Sequence, residues 1–163
     1  MHKSVEDQIS QYRGRKVLVD TNILLLYFAG RLNKSIIESF KRIKQFTIED
    51  YDLLDALLSM MGPIVTTPNI LTEVSNLAGS LYGNTREEFF QEFRNHVLIL
   101  EERHVSSVEV VGTSMFVKLG LTDAAIALAG QDVVVISMDF QLVGALQRQG
   151  IAAINFNNLR FIA

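Results

Sequence analysis

Apolar residues follow two rhythms along this chain. Short apolar runs occur at residues 16–20, 64–66, 96–100, 133–137 and 151–155. Runs of this length read as buried strands. Between them, apolar positions recur with helical spacing. The alternation predicts an α/β domain with a mostly parallel five-stranded sheet flanked by helices. The third run has a competing reading, because Phe89, Phe93 and Leu100 also extend one helical stripe.

Several helix boundaries are marked by their end residues. Thr67-Pro68 supplies an N-cap followed by proline at the first helical position. Ser106 and Glu109 have the spacing of a capping box, with Val105 and Val110 placed to staple across it. Behind that cap, Val108, Gly112, Met115, Phe116 and Leu119 predict one helix, ended by Gly120. Thr122 then caps a helix from Asp123 to Ala129, which is apolar nearly all round and so buried. Ile36, Ile37 and Phe40, and then Leu53, Leu54, Leu57 and Leu58, read as the core faces of a helical pair.

A chain of 163 residues with 48% hydrophobic residues has enough apolar surface for one core. No repeat or linker divides it, so residues 16–163 read as a single domain behind a polar extension, residues 1–15. No apolar run approaches the ~18 residues of a membrane span, and residues 1–15 show no signal-peptide core. With no cysteine, thiolate metal sites, thiol catalysis and disulfides are excluded, and the composition fits a cytoplasmic protein.

Four acids interrupt this apolar pattern. Asp20 ends the first strand and Asp139 follows the fourth. In a doubly wound sheet these strands lie side by side, and both carboxylates face the crevice at the switch point. Glu73 lies beside the Ile70, Val74 and Leu77 stripe of its helix, and Asp123 opens the buried helix after Thr122. Each acid alone reads equally well as a helix cap or a solvated side chain. Four together would repel and be desolvated unless a cation joined them. All-oxygen donors without a histidine pair suit Mg²⁺ or Mn²⁺.

The remaining chemistry is sparse. A net charge of −3 does not indicate a strongly basic nucleic-acid binder. Lys34, Lys41, Arg42 and Lys44, then Arg86, Arg94, Arg103 and Lys118, read first as solvated faces. His2, His96 and His104 have no suitably placed acid to suggest a triad. No glycine-rich phosphate loop is present.

Four segments nonetheless resemble, in order and setting, the acidic motifs of PIN-domain nucleases. They are Val17-Leu18-Val19-Asp20-Thr21-Asn22, Pro68-Asn69-Ile70-Leu71-Thr72-Glu73-Val74, Gly120-Leu121-Thr122-Asp123-Ala124-Ala125-Ile126 and Val135-Ile136-Ser137-Met138-Asp139-Phe140. The resemblance implies a three-layer PIN-like fold and metal-dependent cleavage of RNA, with Asp20, Glu73, Asp123 and Asp139 as catalytic and metal residues. It also implies that Asn22 orients the cluster, and that Ser137 stands where the family shows Thr or Ser. The helical stretch 33–61 and the segment 82–95 look longer than in compact toxin-like members. A toxin of a toxin–antitoxin pair would bring an antitoxin partner, and a homodimer is a further expectation. Two alternatives stand beside this one. A non-catalytic RNA- or protein-binding module would use the acids structurally. A haloacid dehalogenase-type phosphatase also opens on a strand ending in Asp, but needs a second Asp where this chain has Asn22.

Overall fold

The structure is a computed structural model that describes residues 5–161. Its strands are β1 (Val17–Val19), β2 (Ile64–Thr66), β3 (Glu101–Glu102), β4 (Val134–Ser137) and β5 (Ala153–Asn155). They form one sheet in the order β3-β2-β1-β4-β5, with every pairing parallel. The order steps away from β1 in both directions, so β1 is central and its neighbours are β2 and β4. Val17, Leu18 and Val19 are fully buried there, as are Val134, Val135 and Ile136. Strands covered on both faces carry continuous apolar runs, which is why these segments were visible without alternation.

Helices flank the sheet, giving the expected α/β architecture. In chain order they are α1 (Val5–Ser10), α2 (Thr21–Leu32), α3 (Ser35–Ser39), α4 (Ile48–Met60), α5 (Pro68–Ala78), α6 (Gly83–Val97), α7 (Ser107–Val111), α8 (Phe116–Leu119), α9 (Leu121–Ala129), α10 (Phe140–Arg148) and α11 (Phe156–Arg160). The most connected is α2, which packs against α3, α4, α5 and α6. Gly30 permits its approach to α4, since a Cβ there would lie 2.1 Å from the Tyr51 ring. Ile36, Ile37, Phe40, Leu54, Leu57 and Leu58 are buried as expected, and Leu53 is partly so. Among the described residues no helix is long and apolar enough to cross a membrane.

Three expectations need correction. Residues 96–100 do not form a strand. Helix α6 continues to Val97 because Phe89 and His96 stay buried on its face, with His96 stacked on Phe28 at 4.8 Å. Leu98 and Ile99 are 75% and 76% exposed, so their apolarity does not mark a core. The third strand is instead the charged pair Glu101–Glu102, opposite Val65 and Thr66. Glu101 is tied to Lys16 at 2.6 Å and to Arg103 at 3.0 Å. A two-residue charged edge is a poor template for pairing with another chain.

The single helix predicted behind Ser106 is two short ones. The capping box forms, with Ser106 accepting from the Glu109 N–H. Then Gly112 ends α7, and the Thr113 hydroxyl donates back to the Val110 carbonyl at 2.8 Å. Val110 and Met115 are buried, whereas Val108 is 81% exposed. The third correction concerns Thr122, which lies inside α9. That helix starts at Leu121, after Gly120 at φ 86°. Within the described residues the polar N-terminal segment makes contacts with the rest of the chain. Ile9 is buried, and the Gly14 N–H donates to the Met60 carbonyl at 2.9 Å. His2 lies outside the described residues.

One long-range ion pair closes the fold. Arg160 on α11 reaches both carboxylate oxygens of Asp50 at 2.8 Å, and also the Gln45 carbonyl. Asp50 is at the same time the third residue of α4, exchanging hydrogen bonds with Thr47 in a capping box. Both charged side chains are largely buried, at 14% and 11% exposure. Breaking such a pair from one side leaves the other charge uncompensated. Asp50→Ala should therefore destabilise the protein by roughly 3–5 kcal/mol, read as a lowered urea midpoint. A loss below about 1 kcal/mol would mean the pair behaves as an exposed one.

Candidate functional site

Chain connectivity brings the four acids to one place, the carboxyl end of the sheet's centre. Asp20 leaves β1 and is the N-cap of α2. Asp139 leaves β4 two residues after Ser137 and is the N-cap of α10. Because β1 and β4 are adjacent, with Val19 opposite Ile136, these two exits are neighbours. Glu73 comes from the middle of α5, and Asp123 from the first turn of α9. Helices α5 and α9 pack together, and α2 packs on α5.

Three hydroxyls brace the acids. The buried Ser137 hydroxyl donates to Asp20 Oδ2 at 2.6 Å and accepts from the Asp139 N–H at 3.0 Å. One serine thus couples both strand exits. Asp20 Oδ1 accepts from the Thr21 N–H at 2.7 Å, and the Asp20 N–H donates to the Ile136 carbonyl at 2.9 Å. Glu73 is clamped from two sides, by the Thr21 hydroxyl at 2.8 Å and the Thr122 hydroxyl at 2.5 Å. Asp139 Oδ1 accepts from the Gln141 and Leu142 N–H groups at 2.7 and 3.0 Å. Asp123 accepts no hydrogen bond from a described residue.

The structure brings the four acids to one end of the sheet and gives Asn22 no side-chain hydrogen bond with them. Asn22 is exposed on the first turn of α2 and makes no side-chain hydrogen bond to a described residue. Thr21, one position earlier and buried, does the orienting. Its signal was a hydroxyl directly after a strand-ending acid. Thr122 is a support, as expected, but through Glu73 and not as a helix cap. Glu73 is exposed at the residue level although its carboxylate is held in the crevice. The histidines stand apart from the acids. His96 is sandwiched among Tyr27 and Phe28 with Nε2 2.9 Å from Glu92, and burial lowers its pKa. His104 is exposed near Glu102.

Electrostatically the crevice is uncompensated. Among the described residues, no lysine or arginine forms an ion pair with any of the four acids. Burial raises the pKa of Asp20, against the lowering effect of the Ser137 and Thr21 hydrogen bonds, and the charges of Glu73 and Asp139 push it further up. Asp123 is raised from 3.8 to about 7, first by burial and then by the charges of Asp20, Asp139 and Glu73. Desolvation and like charge both favour the neutral acid.

The donor set is one a hard divalent cation would accept, being carboxylate oxygens flanked by hydroxyls. Its present arrangement is looser than a finished site. Among the described residues, no three His, Asp or Glu groups converge closely enough to hold a metal ion. The carboxylates feel each other's charge, yet Asp20, Glu73 and Asp139 point their oxygens at hydroxyls and main-chain N–H groups. The residues match a cation in donor type and charge but do not converge on one.

No family model and no curated protein matches the chain. A solved structure, a domain of a functionally unknown protein from Methanocaldococcus jannaschii DSM 2661, is similar at 14% identity. The similarity covers 86% of this chain and 90% of that one, with a TM-score of 0.46.

Asp123 gives a test with a definite sign. Its folded-state pKa of about 7 lies above the ordinary 3.8. The folded protein therefore binds the extra proton between those values, and stability from this group is intact below about pH 4 and lost as pH rises through about 7. Asp123→Asn removes the penalty. In chelator it should stabilise the protein by roughly 0.5–2 kcal/mol at pH 8, with the gain fading toward pH 4. Urea denaturation across pH checks this. A variant less stable than wild type at pH 8 would show that the favourable charge at the α9 N-terminus, worth about 0.3–1 kcal/mol, outweighs repulsion.

Proposed function

We propose that this protein is a cytoplasmic, metal-dependent ribonuclease of PIN-domain type that hydrolyses RNA phosphodiester bonds. The observation that supports this reading best is the uncompensated acid crevice. Four carboxylates from four elements meet at the carboxyl ends of adjacent central strands, with Asp20 and Asp123 held toward their neutral forms. A fold does not maintain such repulsion for stability, and open α/β sheets bind ligands at this edge.

In this reading Asp20, Glu73, Asp123 and Asp139 hold Mg²⁺ or Mn²⁺. Such a cation would supply positive charge for the phosphoryl oxygens and acidify a water for attack on phosphorus. The chain's own residues position the donors. Ser137 fixes the rotamer of Asp20 and the backbone entering Asp139. Thr21 and Thr122 keep Glu73 turned into the crevice and not out to solvent. Asp123, without hydrogen bonds from described residues, is the carboxylate freest to turn toward a ligand.

A second reading has one observation in its favour. The acids do not converge tightly enough to hold an ion as they stand. A binding module for RNA or a protein partner, with the acids braced by hydroxyls, needs no tighter convergence. Catalysis separates the two.

The test is cleavage of labelled single-stranded RNA with Mg²⁺, with Mn²⁺ and with chelator. Cleavage should require a divalent ion and fall to background in Asp20→Asn. Ser137→Ala should weaken metal affinity roughly 10–100-fold, so that added metal restores part of its activity. Cleavage that persists in chelator, or survives at the wild-type rate in Asp20→Asn, would refute the site. RNA binding without cleavage under any of these conditions would favour the binding module.

A further inference from the structure

An acid crevice repels the phosphates of its proposed substrate, so cations elsewhere must bring the strand in. Four basic side chains are already engaged by acids. Lys16 and Arg103 are paired with Glu101, Arg103 also with Asp132, Lys34 with Asp52 and Arg160 with Asp50. Lys118 and Arg148 are among those not so engaged. Neither is paired with an acid among the described residues, and both line one groove of about 420 Å³.

That groove lies between α8 and α10, and the chain joins it directly to the crevice at two points. Phe140, on its wall, follows Asp139 in sequence. Leu119, also on its wall, stands four residues before Asp123. Phe140 is 81% exposed, an unusual setting for a large apolar ring at the first position of a helix. Its neighbours Leu142 and Val143 are buried, so the helix has a core face and Phe140 is not on it. Gly144 forms part of the floor, where a Cβ would sit 3.4 Å from Arg148 Nη1. Glycine within a helix is locally unfavourable by about 0.5–1 kcal/mol relative to alanine. A Cβ at that distance would make only ordinary contact with the guanidinium. The α10 helix carries Phe140 and Arg148 at its two ends, ~12 Å apart along the axis.

An exposed ring with a cation on either side of a groove is the arrangement that binds single strands. The ring stacks on a base and the cations track the backbone. We propose that the α8–α10 groove is the entry track for single-stranded RNA, with a base stacked on Phe140 and backbone phosphates held by Lys118 and Arg148. This rests on the ribonuclease reading and names the substrate form that reading requires. Duplex RNA is excluded from the track because its bases are already stacked and cannot reach Phe140. The phosphate beyond the stacked base is then carried toward Asp139 and the crevice.

The test measures binding apart from cleavage. Fluorescence anisotropy with a labelled single-stranded RNA oligonucleotide, in chelator, gives Kd as a function of salt for the full chain. Phe140→Ala should weaken binding roughly five- to a hundredfold. Lys118→Ala/Arg148→Ala should reduce the slope of log K against log salt by about 1.4, at about 0.7 per phosphate contact on a single strand. Lys41→Ala/Lys44→Ala removes the same charge elsewhere and should leave the slope near wild type. An unchanged Kd in Phe140→Ala, an equal slope change in both double variants, or no binding by wild type would each overturn the track. So would sedimentation showing that Phe140→Ala splits a dimer, because the groove would then join two copies. The two readings fail separately. RNA bound through Phe140 but never cleaved refutes the nuclease and keeps the track. Divalent-dependent cleavage with an unchanged KM in Phe140→Ala refutes the track and keeps the nuclease.

Discussion

The molecule is organised around a carboxylate that cannot leave the end of its central strand. Asp20 follows three fully buried residues and caps the helix that packs on four others. Its position is fixed by the sheet and by α2 together, so burial of its charge has to be managed where it stands. A 2.6 Å hydrogen bond from Ser137 and the Thr21 N–H manage part of it. Ser137 lies on β4, so its bond would be lost if β4 paired elsewhere. Sheet order and site geometry are therefore a single constraint.

The same economy extends outward through hydroxyls. Ser137 joins the exits of β1 and β4, while Thr21 and Thr122 join α2 and α9 to α5 through Glu73. Neutral donors orient the carboxylates without cancelling their charge. A lysine or arginine paired with these acids would have left nothing for a cation to do. The absence of such a pair among the described residues gives the crevice its chemical character. In the proposed function the missing positive charge arrives from outside, as a divalent ion at the acids.

The parts of this arrangement that depend on local chemistry were legible in the sequence. Buried strands on both sides of β1 appear as unbroken apolar runs, and Thr67-Pro68 and Ser106 with Glu109 mark helix starts. The four acids stood out because each sits against an apolar element. Features set by distant partners were not legible. Strand β3 is two glutamates, with no apolar run to reveal them, and pairs only because Val65 and Thr66 present a free edge. The neighbouring apolar residues 98–99 misled because exposed leucine and isoleucine look the same in sequence as buried ones. Thr122 has the composition of a cap but turns to Glu73, 49 residues away. Asn22 and Thr21 are adjacent, and only the direction of α2 decides which of them meets Glu73. The Arg160–Asp50 pair, 110 residues apart, has no local signature at all.

The central claim is that these carboxylates form one charged cluster that a divalent cation relieves. Carboxyl ¹³C NMR titration of Asp123 tests it without reference to any substrate. In chelator, Asp123 should titrate near 7 as part of a coupled group. With saturating Mg²⁺ its midpoint should fall below about 4, because a cation favours the charged form. A midpoint near 4 in chelator would show that the acids are independent. A midpoint near 7 that Mg²⁺ leaves unchanged would show a cluster that holds no cation, and would contradict the account.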